Sequence, residues 1–221
     1  PRARPQQGRP LHLLLKSSLH AYRLPFLRAM FSQTKMRLIL LTRNPAASIN
    51  GLIEGWLSRG GFYSYDLSLV GITLHISGYS DLFVWGRRWW KFDLPAVDAA
   101  LFSAPLEQVC AQQWTCAYAS VLAFLDQHPE VERFTLKYED LIQGPERRRL
   151  ALDKLALFLG IPQLDPGDGE IPDGVVMATR PPQPGRWRQR YRQIVRVLQD
   201  ASLRRVCERL GYDPKELNQW I

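Results

Sequence analysis

An α/β fold, three-layered with helices on both sides of a central parallel sheet, is the architecture this sequence predicts. Two observations carry the prediction. The apolar run "MRLILLT", residues 36–42, has the composition of a strand that a parallel sheet buries on both faces. It stops at Arg43 and is followed at once by "PAASINGLIEGWL", a helical pattern with Pro45 where a first turn accepts it. A second strand-then-helix succession, near residues 133–161, repeats the pattern expected of a βα-built sheet.

The remaining elements follow in order. "LHLLLK" (11–16) reads as a short buried strand, and "RLPFLRAMF" (23–31) as a helix with Leu24, Leu27 and Phe31 on one face. Residues 58–105 lack a sustained period and are expected to form an irregular insertion or lid. Within them, Trp85, Trp89 and Trp90 beside Arg87, Arg88 and Lys91 suit either the packing of a lid or the stacking of single-stranded nucleic acid. Apolar residues from Leu106 to Leu125 recur at helical spacing. "RFTLKY" (133–138) is a strand by its aromatic and β-branched content, and "LALDKLALFLGI" is a helix stopped by Gly160. Residues 162–185 read as a long Pro/Gly/Asp-rich loop, and a last helix spans about 187–210, before "GYDP".

At 221 residues and 46% hydrophobic, the chain predicts a single domain, 1–221. Its net charge of +8 points to an anionic partner: nucleic acid, an anionic membrane surface or a phosphorylated small molecule. The three cysteines are odd in number and lack paired or metal-site spacing, so a reducing, cytoplasmic setting is expected. The four histidines are scattered, and no metal site is expected. No apolar run reaches the roughly 20 residues a spanning helix needs. The start, "PRARPQQGRP", reads as a basic arm, an unstructured beginning, or a chain truncated at its N-terminus.

Four segments carry chemistry. Lys16 ends the first expected strand, Arg43 the second, and "LKYEDL" (136–141) the third, while the long loop delivers "TRPPQPGRWRQRY" (179–191). Ligands of open α/β sheets bind beyond the carboxyl ends of the strands, so cations placed there converge on one anion site. Helix N-termini are expected to add bare N–H groups to it.

These segments resemble, in order, those of sulfotransferases that use 3′-phosphoadenosine 5′-phosphosulfate (PAPS). "LLTRNPAASING" resembles the family's 3′-phosphate segment, "LKYEDLIQGP" its "YEDL" stretch, and "RPPQPGRWR" its late phosphate loop. "LLLKSSLHAYRLPFL" resembles the strand and helix preceding the arginine, and "RLGYDP" also fits. The match covers residues 11–57 and 106–213. The resemblance implies a P-loop NTPase-like fold, PAPS as co-substrate released as 3′-phosphoadenosine 5′-phosphate, and a sulfuryl acceptor that is a small molecule or carbohydrate bearing a hydroxyl or amine. Arg43 would pair with the 3′-phosphate, Tyr138 would lie near the adenine, and Arg180 would reach in from the loop with Gly185, Arg186 and Arg188. Gly51 stands where the family usually has a serine, so Ser48 or a backbone N–H is expected to substitute. Pro181 and Pro182 stand where it commonly continues Lys-Gly. Trp187 matches the family's loop but equally suits a core anchor. Lys16 would neutralise charge on the leaving phosphate. His20 is the nearest candidate base, or else a polar residue at a helix start. Glu139 and Asp140 are expected to be structural. The family's glycine- or serine-rich 5′-phosphosulfate loop is absent ahead of Lys16, which implies either upstream sequence or a degenerate relative without transfer activity of its own. The alternatives are a non-catalytic 3′-phosphonucleotide-binding protein and a basic nucleic-acid binder.

Overall fold

The computed structural model describes residues 12–60, 62–93, 98–161 and 183–220. Its α-helices and strands, in chain order, are α1 Leu24–Met30, β1 Arg37–Thr42, α2 Pro45–Leu57, β2 Ser64–Asp66, β3 Trp89–Lys91, α3 Leu106–Gln127, β4 Glu132–Lys137, α4 Tyr138–Ile142, α5 Pro145–Leu159, α6 Tyr191–Val197 and α7 Ala201–Arg209. Short 3₁₀ turns join several of them, including Ser18–Tyr22 and Arg186–Arg190.

The strand from the apolar run at 36–42 and the one near 133–138 pair in parallel, in register from Arg37 opposite Glu132 to Thr42 opposite Lys137. Side chains alternate across this pair. Ile39, Phe134 and Leu136 face a small core with Ala151 and Leu155 of α5. Leu38 and Leu40 face the larger core, which takes in residues of α2, α3, α6 and α7. Helices therefore lie on both faces of the pair. Among the described residues, however, the sheet has two strands, so the broad central sheet expected from sequence is not what forms there. Nor is β1 buried on both faces, because Leu41 is 49% exposed.

The expected strand at 11–16 is also corrected. Leu11 lies outside the described residues, and residues 12–17 have no regular structure. Leu13, Leu14 and Leu15 are 65%, 79% and 43% exposed, for no neighbouring strand among the described residues offers its backbone to them. An apolar run makes a strand only where a ladder receives it.

Local signals fared better. Asn44 caps α2, its Oδ1 accepting from the Ala47 N–H at 2.8 Å, and Pro45 fills the first helical position. Gly160 ends α5 in the left-handed conformation, φ 71°. The expected long C-terminal helix is broken instead. Asp200 accepts from the Leu203 N–H at 2.9 Å and starts α7 afresh after α6, because a capping side chain competes with helix continuation.

Residues 58–105 hold more order than their sequence advertises. β2 and β3 form an antiparallel ladder, and Leu74, Ile76, Tyr79 and Trp90 are fully buried. Trp90 and Tyr79 each meet the Trp56 ring of α2 edge-on, at 5.1 and 4.9 Å between centroids. Lys91, which suited either the packing of a lid or a nucleic-acid contact, is buried and donates to the Gly55 carbonyl at 3.1 Å and to that of Ser58, capping α2 with positive charge.

Phe92 follows in a left-handed conformation, φ 61°, with its ring over Gly55. A Cβ at position 55 would sit 2.3 Å from Phe92 Cζ. Gly55→Ala is therefore expected to lower stability by about 1–2 kcal/mol, overpacking outweighing the ~1 kcal/mol gain in helix propensity. Urea denaturation checks this, and a midpoint equal to or above that of the parent contradicts it.

Candidate functional site

Parallel pairing in register brings two chain reversals together. Arg43 follows β1 and Tyr138 follows β4, immediately beyond paired carboxyl ends. The Arg43 guanidinium lies over the Tyr138 ring, 4.8 Å from its centroid. No carboxylate pairs with Arg43 among the described residues. Beneath it α2 presents Gly51, where a Cβ would come only to 3.9 Å from Arg43 Nη1, leaving the helix surface open under the cation. Ser48 turns its hydroxyl to the Arg43 carbonyl, at 3.4 Å. Tyr118 of α3 donates to the Leu41 carbonyl at 3.0 Å, and burial pushes its phenol up to about 12.

The N-terminus of α2 was expected to offer bare N–H groups to a ligand. It already holds an anion. Glu139 Oε1 accepts from the backbone N–H of Asn44 at 2.8 Å and from Asn44 Nδ2 at 2.9 Å. Glu139 Oε2 accepts from the Tyr212 hydroxyl at 3.0 Å, which also lies 3.2 Å from Thr42 Oγ1. Glu139 is thus structural, as read, but it ties β4 to the β1–α2 turn and to the C-terminal Tyr212 rather than to its own helix. Arg43, at the end of β1, has no carboxylate partner among the described residues.

A cleft of about 1010 Å³ opens beside β1. Lys16, His20, Arg43, Ser48, Gly51, Tyr138 and Arg186 all line it. Lys16 is exposed on an irregular segment rather than at a strand end. His20 lies in the Ser18–Tyr22 turn with its Nδ1 buried and without a hydrogen bond. Gly185 and Arg188 do not line the cleft. Gly185 adopts φ 66° at the start of the Arg186–Arg190 turn, and Arg188 folds back over the Trp187 ring, 5.7 Å from its centroid. Arg186 is 2.8 Å from Glu54 of α2, and Arg190 reaches the same carboxylate and Asn50 Oδ1, at 3.4 and 2.6 Å. Trp187 is 2% exposed, a core anchor. Arg180, with Pro181 and Pro182, lies outside the described residues.

Sequence reasoning passed over Gln113. Its buried amide accepts from Trp56 Nε1 at 3.0 Å and donates to the carbonyls of Lys91 and Asp93, both at 2.8 Å. A glutamine inside the apolar stripe of α3 was the available signal, since a buried amide there must have partners. Asp93, which also lines the cleft, and Tyr63, which donates to it, sit in the stretch without periodicity and gave no signal. Among the described residues no His, Cys, Asp and Glu cluster could hold a metal ion, and no helix is long and apolar enough to cross a membrane.

A scan against models of protein families finds no match, and a search of curated proteins finds none. Among solved structures, the chain is similar to the "Sulfotransferase Domain from the Curacin Biosynthetic Pathway", at 18% identity and a TM-score of 0.49. The likeness covers 89% of this chain and 60% of that one, so the chain spans less than two thirds of that neighbour's length.

Proposed function

We propose that the cleft binds the 3′-phosphate of an adenosine nucleotide and that the protein serves sulfuryl transfer from PAPS to a hydroxyl or amine acceptor. The observation that carries this reading is Arg43: a half-buried guanidinium, stacked on Tyr138, without a carboxylate partner among the described residues, at the mouth of the cleft. A guanidinium held over an aromatic ring keeps its fork of donors in place, which suits bidentate grip of a phosphate. The order of the four segments in the sequence supports the nucleotide assignment. With Arg43 on one face of Tyr138, the adenine has only the ring's other face or its edge to contact.

In the transfer reaction the acceptor oxygen or nitrogen bonds to sulfur as the bond from sulfur to the 5′-phosphate oxygen breaks. Lys16, in the same cleft, would offset charge on the departing phosphate. His20 would take the acceptor's proton, since a neutral imidazole is a competent base near neutral pH. Arg186 would act mainly through Glu54, holding the late loop against α2. The nucleic-acid reading loses ground because Trp90 and Lys91 are interior.

Calorimetric titration of the protein with 3′-phosphoadenosine 5′-phosphate and with adenosine 5′-phosphate tests the reading. The first is expected to bind at least tenfold more tightly. Equal affinities would remove the 3′-phosphate assignment.

A further inference from the structure

β1 has an unused edge, and that edge lies in the cleft. Among the described residues β1 pairs with β4 alone, so one side of its main chain has no ladder partner. Successive residues of a strand point to opposite faces, and a cleft on one face would touch every second residue. The cleft is lined instead by four in a row, Leu38, Ile39, Leu40 and Leu41, which places it along the open edge. Such an edge presents unpaired N–H and C=O groups and is a template for another strand, unless charge, proline or a bulge blunts it. β1 has no charge or proline from Leu38 to Thr42, and its pairing with β4 runs without a bulge. Tyr118 meets one need, donating its hydroxyl to the Leu41 carbonyl at 3.0 Å.

The same chain carries a segment with the converse defect. His12–Lys16 holds three leucines in succession, Leu13, Leu14 and Leu15, exposed by 65%, 79% and 43%. It contains no proline and has no regular structure. Extended, at about 3.3 Å per residue, it would run nearly the length of the six-residue β1. Adjacent exposed leucines form the kind of apolar patch that marks an interaction site.

Within one copy this segment is tethered. It runs into Ser17, whose Oγ accepts from the Leu19 N–H at 3.3 Å at the head of the Ser18–Tyr22 turn. That turn packs on α3, and Ser18 Oγ lies 3.1 Å from the Tyr63 hydroxyl. Leu15 and Lys16 line the same cleft as β1 yet form no ladder with it. The corresponding segment of a second copy has no tether to this cleft and is free to approach along the edge.

We propose that the protein pairs with a second copy of itself by strand exchange, His12–Lys16 of each copy adding to the open edge of β1 in the other. The exchange is reciprocal, so two copies close on each other about a two-fold axis and no third is recruited. It satisfies main-chain groups of both elements and takes the three leucines out of water. The inference goes beyond the sulfuryl-transfer reading and does not depend on it.

Light scattering on a sizing column tests the exchange. So short a ladder makes a small and weak interface, and the protein is therefore loaded at roughly 100 µM. The parent is expected to elute at twice the mass of one chain. The double variant Leu13→Pro with Leu14→Pro is expected to elute as a monomer. Adjacent residues of a strand aim their N–H groups to opposite sides, so one of the two prolines removes a donor facing β1 while apolar surface is kept. Both positions are exposed and irregular, so the variant should fold, which circular dichroism checks. Hydrogen exchange of the parent should show β1 amides about tenfold better protected in the dimer than after dilution to monomer. A monomeric parent overturns the proposal, and so does a dimer that persists in the folded double variant. A parent dimer whose β1 amides gain no protection overturns it even if the variant fails to fold.

Discussion

Replacing Arg43 with alanine is expected to weaken binding of 3′-phosphoadenosine 5′-phosphate by roughly 100-fold while leaving adenosine 5′-phosphate affinity unchanged. The magnitude follows from what the substitution removes. A bidentate charge-assisted grip on a phosphate is worth about 3 kcal/mol, and every 1.4 kcal/mol is about tenfold in affinity. Arg43→Lys keeps the charge but loses the fork and the guanidinium's contact with the Tyr138 ring, so it should recover only part of the loss, to within about tenfold of the parent. Fold is not at risk: the guanidinium packs on an exposed flank of α2 at Gly51 and on the half-buried Tyr138. Calorimetry of the three proteins with both nucleotides decides the matter. If Arg43→Ala weakens both nucleotides alike, Arg43 shapes the cleft without reading the 3′-phosphate.

The second large effect is on stability. Glu139→Ala is expected to destabilise the protein by about 3 kcal/mol, a fall of roughly 6–12 °C in Tm for a chain of this size. The carboxylate serves three donors: the Asn44 backbone N–H, Asn44 Nδ2 and the Tyr212 hydroxyl. Asn44 is 1% exposed and Tyr212 6% exposed, so water cannot readily replace the lost acceptor. Glu139→Gln retains one acceptor oxygen for Asn44 and should cost about 1 kcal/mol. Tyr212→Phe removes the bond to Glu139 and the contact with Thr42 Oγ1 and should cost a similar amount. Because Asn44 directly follows Arg43, Glu139→Ala should also weaken nucleotide binding. A Tm within about 1 °C of the parent would mean that the turn holds its shape without the carboxylate.

The two predictions depend on information of different kinds. Arg43 was readable as a cation at the end of a strand because its signal is local: an apolar run, a cation, then Asn-Pro opening a helix. Glu139 was readable as structural, but its partners were not. Asn44 and Tyr212 are distant in sequence, and only the in-register pairing of β1 with β4 brings the "YEDL" segment onto the β1–α2 turn. Arg186 shows the same limit. Its place beside Trp187 was visible, yet the sequence holds no trace of its pairing with Glu54, 132 positions earlier.

Helix α2, the stop at Gly160 and the strands around Arg43 and Tyr138 follow from the sequence by itself, because caps and periodicities act between residues within about one or two turns of one another. The tertiary structure decided the rest. It left Leu13–Leu15 exposed, with no strand among the described residues to pair with them, put Trp90 and Lys91 in the interior, and set Asp93 on the cleft wall behind a phenylalanine at positive φ. Those outcomes depend on which distant segments meet, and burial and hydrogen-bond satisfaction are settled only when they do.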